Sequence, residues 1–171
     1  GTQGPDGVSV QANDTIVFTS DYIVSASGFA ICGEAKGGGI YANEASIHMA
    51  HSVIQNSSAS SRGGGIYLEN LAALTGESSA LDFNAAALSG GGIFVDSSTV
   101  DIFDYSLQNN SLTSSLAAGG ASVYLECGNF QATDLSASGE VAGPFAAAGV
   151  VCGSSCPAGK HANCEAVEGA P

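Results

Sequence analysis

The pentad "GGGIY" stands at Gly37–Tyr41 and again at Gly63–Tyr67, and "GGGIF" follows at Gly90–Phe94. Repetition at a steady period is the mark of a stacked-repeat architecture, in which one short unit recurs along an axis. Gly-Gly pairs at Gly37, Gly63, Gly90 and Gly119 open four segments, and the step from one to the next varies only slightly. A second anchor recurs inside three segments: "VIQN" ending at Asn56, "LDFN" at Asn84 and "SLQN" at Asn109.

Between these anchors the sequence is written for strands. Stretches such as "DTIVF", "SIHMA", "VDIFD" and "SVYLE" are β-branched or aromatic and are bounded by Gly, Ser and Asn. No segment carries a capped 3.6-residue pattern or a leucine framework. Three short strands and three turns account for each segment. One such coil cannot bury its inner face, but coils stacked about 4.8 Å apart pair every strand with those above and below. The reading is therefore an all-β parallel β-helix (solenoid) of about five to six coils over residues 1–148. Residues 149–171 form a Cys-rich C-terminal tail, a cap or the start of a following module. The glycines are expected at corners where φ is positive or backbones approach closely. A phosphate-binding loop is disfavoured, because no "GK[ST]" and no helix follow.

Composition narrows the partners. The 171 residues are 44% hydrophobic but only 11% charged, and the net charge is -13 with Lys36, Arg62 and Lys160 as the strong bases. So few bases cannot neutralise phosphates, which argues against nucleic acid. No apolar run approaches the roughly 20 residues of a membrane helix, so direct membrane insertion is not expected. The opening "GTQGPDG" and closing "EGAP" read as the ends of an excised segment of a longer chain. Sequons at Asn13, Asn56 and Asn109 are glycosylation candidates. Five cysteines, three of them close to the C-terminal end, fit an oxidising compartment. Cys127, Cys152, Cys156 and Cys164 are disulfide candidates: Cys127 with Cys152, close to one coil apart, and Cys156 with Cys164 are conceivable pairs, though spacing does not fix the pairing. An odd count leaves one thiol over. The expected location is secreted or cell-surface.

Alignment on the first strand of each segment puts Tyr41, Tyr67, Phe94 and Tyr124 in one column, each preceded by Ile or Val and followed by an apolar residue. Period-2 alternation then turns Ile and Leu inward and the rings outward, beside an acidic stripe of Glu69, Asp96 and Glu126. Exposed rings at strand spacing are candidates for binding a partner or the faces of sugars. The plainer reading has them stack on one another to shield the sheet. One carboxylate per coil falls short of the about six to eight oxygens of a calcium site, so the acids read as a solvated ladder with at most weak Ca2+ affinity. Asn56, Asn84 and Asn109 are expected to form a turn ladder, which conflicts with glycans at Asn56 and Asn109. His48 and His51, three apart, should diverge, as should Asp101 and Asp104. No catalytic residue, metal centre or cofactor is expected.

The repeated "GGGI" with a following Asn, as in "GGGIYANEASIHMAHSVIQN", resembles the repeats of polymorphic outer membrane proteins and related β-helical adhesins. The likeness spans about Gly37 to Gly139, with Val53, Leu81 and Ser106 where those repeats carry Phe. It implies a right-handed β-helix displayed outside a cell for adhesion or surface architecture. The tail, "GVVCGSSCPAGKHANCEAVEGAP", resembles the start of Cys-rich CPAG modules of eukaryotic surface proteins.

Three function classes follow. The first is a noncatalytic extracellular module of a larger cell-surface or filament protein, whose partners are other extracellular proteins, copies of itself or surface glycans. The second is a carbohydrate-active β-helix lyase or hydrolase, disfavoured because neither Lys36 nor Arg62 sits in an acidic constellation that the sequence reveals. The third, an ice-binding solenoid, needs a regular Thr array, and Thr75, Thr99 and Thr113 share no offset.

Overall fold

A computed structural model describes residues 15–19, 36–117, 119–139, 150–152 and 162–168, with side chains over 36–117 and 119–138. Among them there is no helix, and the strands wind into a parallel β-solenoid of about four turns. Strand β1 (Thr15–Thr19) precedes a coil built from β2 (Ile40–Asn43), β3 (Ser46–Ala50), β4 (Val53–Gln55) and β5 (Ser58–Ala59). The next coil holds β6 (Ile66–Glu69), β7 (Ala73–Asp82) and β8 (Ala85–Ala86). In the two after that, single long strands bend around the coil, β9 (Ile93–Leu112) and β10 (Val123–Gly139), and β11 (Val150–Cys152) and β12 (Ala162–Glu168) pair in parallel with β10.

Each inward column of side chains is continuous from coil to coil. Ile40, Ile66, Ile93 and Val123 are in register, as are Ala42, Leu68, Val95 and Leu125, and then Ile47, Leu74, Val100 and Phe130. All of these are buried in one core. Size variation within a column is matched by its neighbour. Gly76 lies between Met49 and Ile102, and the ring of Tyr105 reaches across it to donate a hydrogen bond to the Met49 carbonyl, 3.3 Å away. A Cβ at Gly76 would fall 2.6 Å from the Tyr105 hydroxyl. Burial pushes the Tyr105 phenol up to about 12.

Register corrects the repeat boundaries. Ile93 pairs with Val123, so the fourth opening glycine is Gly120, and the last step is longer than the two before it. Gly119 instead occupies the column of Lys36, Arg62 and Ser89. The opening glycines Gly37, Gly63, Gly90 and Gly120 all have φ between +63 and +71°. The second glycine of each triplet meets a different constraint. A Cβ on Gly64 would collide with the Ala85 carbonyl of its own coil and the Gly91 carbonyl of the next.

The expected three turns per coil are in fact four, because a further corner splits the middle strand. Beyond the glycine corner, each turn is made by L-residues at positive φ: Glu44, the Asn70–Leu71 pair and Ser97 at one, His51, Ser78, Asp104 and Asp134 at the next, Asn56, Phe83 and Asn109 at the last. Six of these eleven residues are Asn, Asp or His, the types whose short polar side chains tolerate this region best. Backbone hydrogen bonds at these corners run between coils, as in His51 N–H to Glu77 O at 3.2 Å and Asn56 N–H to Asp82 O at 3.2 Å. The coil-to-coil ladder thus continues around the bends.

Candidate functional site: the aromatic column and its ionic straps

The first strand of each coil places its aromatic residue on the outer side of the core, and the stacking of coils makes a column of rings. Ring centroids of Tyr41 and Tyr67 are 5.7 Å apart, those of Tyr67 and Phe94 4.8 Å, and those of Phe94 and Tyr124 5.7 Å, the last pair only 3° from parallel. These spacings are those of favourable offset aromatic pairs.

The column is not the exposed stripe that alternation alone predicts. Tyr67 is 2% exposed and Phe94 0%, while Tyr41 and Tyr124 at the two ends are half-buried. The cover comes from the column before the glycines. Lys36 Nζ lies 5.2 Å from the centre of the Tyr67 ring, and the Arg62 guanidinium carbon 4.9 Å from that of Phe94. Both are cation–π distances. Beyond the rings, Lys36 Nζ pairs with Glu69 Oε2 at 2.8 Å and Arg62 Nη1 with Glu126 Oε2 at 3.2 Å. The Arg62 side chain therefore spans from its own coil, across Phe94 in the next, to an acid in the coil after that. The two bases do sit among acids, which the sequence hid because 33 and 64 residues separate the partners.

Glu69 is the centre of this group. Burial alone would raise its carboxyl, but hydrogen bonds from Lys36 and from the Tyr41 hydroxyl outweigh it and hold the acid below its usual range. Lys36 is pushed up, chiefly by its hydrogen bond to Glu69. Burial also raises Tyr67 strongly, so its phenol stays neutral.

The three acids do not form a regular stripe. Glu69 follows Asn43 in register, and Asp96 accepts a hydrogen bond from the hydroxyl of its neighbour Ser97. Glu126 falls where the register of β10 against β9 shifts between Leu125 and Cys127. An extra residue there swings Glu126 out of line and toward Arg62. Among the described residues, no three His, Cys, Asp or Glu side chains gather as metal ligands.

The asparagine ladder exists and keeps Asn84, but Asn110 takes the place expected of Asn109, and Asn56 is not part of it. Asn84 and Asn110 are buried; Asn84 Oδ1 accepts from Ser57 N–H, Asn110 Oδ1 accepts from Asn84 N–H, and their Nδ2 groups donate to Ile54 O and Leu81 O, all within 3.0 Å. Asn56 and Asn109 lie one residue earlier, exposed at the corner with Phe83. Counting along the chain merges these consecutive positions into one column, because segment lengths differ by a residue. The conflict between ladder and glycan disappears with that correction.

His48 lies on a strand, 3.1 Å from the Thr75 hydroxyl, whereas His51 turns a corner. Asp101 is exposed on β9, and Asp104 at the next corner accepts from Ser78 Oγ at 2.8 Å. Cys127 is fully buried and disulfide-bonded. Backbone register sets Cys152 beside Leu125, two places before Cys127, and Cys164 beside Phe130. Asn13, Cys32 and Cys156 lie outside the described residues, as do the side chains of Cys152 and Cys164. In comparisons with known proteins, no family model, curated protein or solved structure matches this chain.

Proposed function

We propose that the chain is a noncatalytic structural or adhesion module, a rigid segment of a larger cell-surface or filament protein. The observation that carries this reading is the fate of the residues most able to do chemistry. Lys36, Arg62, Glu69 and Glu126 are engaged with one another across the aromatic column, where they fasten coil to coil. Acid–base catalysis needs such groups turned toward a substrate, in a shared cleft. A solenoid with its ionic groups so engaged is suited to bearing load and displaying surfaces.

A right-handed winding, five to six coils in the whole chain and a tail from residue 149 that caps the stack or leads into a further module belong to the same reading. So does export, on which the sequons and the cysteines bear. Its partners are then other extracellular proteins, copies of itself or surface glycans.

Electron microscopy of natively extracted protein, together with a polysaccharide-cleavage panel on the same sample, tests the proposal. Rods or filaments without cleavage products are the expected result. Release of reducing or unsaturated sugar ends in proportion to protein would overturn it in favour of a carbohydrate-active enzyme.

A further inference from the structure

The corner formed by Asn56, Phe83 and Asn109 faces solvent in each of the three coils that form it. Asn56 and Asn109 stand in the sequons "NSS" and "NNS", and both side chains are exposed. Their amide groups make no hydrogen bond among the described residues, although both backbone N–H groups are bonded. Asparagines outside sequons behave otherwise: Asn43 and Asn70 bond to each other, and Asn84 and Asn110 fill the buried ladder. The hydroxyl residues that complete the two sequons, Ser58 and Ser111, are also exposed.

Between the two asparagines, one coil from each, stands Phe83, 57% exposed at φ +55°. A large ring more than half exposed at positive φ leaves much of its apolar surface to water. Its own coil carries no sequon, since Asn84 points inward and Ala85 and Ala86 follow. Adjacent coils lie about 4.8 Å apart, too close for two branched sugar chains, whereas Asn56 and Asn109 are about 10 Å apart. The apolar face of a pyranose attached at either asparagine comes within reach of the Phe83 ring, and covering it removes apolar surface from water.

We propose that this corner is a paired N-glycan attachment site, with Asn56 and Asn109 as acceptors and Phe83 as the platform on which the first sugar rests. The assignment rests on the export part of the proposed function. The first experiment maps peptides of the natively extracted protein before and after enzymatic removal of N-glycans. Conversion of both Asn56 and Asn109 to Asp on release is expected. Both unmodified while Asn13 carries sugar would overturn this site yet leave export standing, and all three unmodified would overturn the site and remove its support from export. The second compares thermal unfolding of glycosylated and deglycosylated protein, wild type and Phe83→Ser. Deglycosylation should lower the wild-type midpoint by about 2–4 °C and leave Phe83→Ser nearly unchanged. An equal shift in both would overturn the platform role.

Discussion

Of the corners that turn the coils through positive φ, the opening one and the last are built from opposite kinds of residue. The opening corner is glycine in all four coils, Gly37, Gly63, Gly90 and Gly120. The last corner is Asn56, Phe83 and Asn109, with φ of 57, 55 and 56°. Their backbones are alike, so conformation does not explain the difference. What differs is the space where a Cβ would stand. At Gly63 it would fall 2.6 Å from Ile66 O and 2.7 Å from Tyr67 Cβ, because the aromatic strand starts at once. At the last corner the side chain leaves into solvent. An L-residue in this region costs about 1–2 kcal/mol, which the intercoil hydrogen bonds offset; a steric collision has no such remedy.

The largest expected effect comes from moving a methyl from the tolerant kind of position to the intolerant kind. Gly64→Ala drives a Cβ into the carbonyls of Gly91 and Ala85 and should cost about 3 kcal/mol or more, or abolish folding. Ser78→Ala, at an open corner, should cost no more than about 1 kcal/mol. Urea unfolding of the two variants measures the contrast, and equal losses would break it.

A second, smaller contrast separates neighbours in sequence. Asn110→Ala leaves Asn84 N–H and Leu81 O without their side-chain partners in a buried site and should lose about 2–3 kcal/mol. Asn109→Ala, one residue earlier in protein without glycans, should lose less than about 1 kcal/mol, mainly through the weaker tolerance of Ala for positive φ. If the two losses proved equal, the placement of the ladder at Asn84 and Asn110 would be wrong.

The smallest effect concerns the straps. Glu69 is held below its ordinary pKa, so its contribution is complete above the unfolded value of 4.5 and is lost as pH falls through the folded value. Because Lys36 is about half exposed, salt screens the pair, and the loss should stay below about 1 kcal/mol. Unfolding midpoints measured on acidification below pH 4.5 should therefore fall more in wild type than in Glu69→Gln, and the gap should narrow in high salt. A gap of the opposite sign would show that burial, and not the Lys36 and Tyr41 bonds, governs this acid.

How much of this is legible in the chain depends on range. The columns of Ile40, Ile66 and Ile93 and of Tyr41, Tyr67 and Phe94 follow from a repeat that can be counted. Counting alone picks Gly119 over Gly120 and Asn109 over Asn110, because short insertions near Leu71, ahead of Gly119 and beside Glu126 change the spacing without changing the composition. The straps are invisible for another reason: alternation says which way a ring points, but not what lies over it.

Period, parallel stacking and apolar columns can thus be read from the chain, because each is a local pattern that returns once per coil. Which asparagines are buried, which corners admit a side chain, and that Lys36 and Arg62 close over the rings emerge only when the coils are stacked. Those outcomes depend on atoms of neighbouring coils brought within a few ångströms, and a shift of one residue in register exchanges inside for outside.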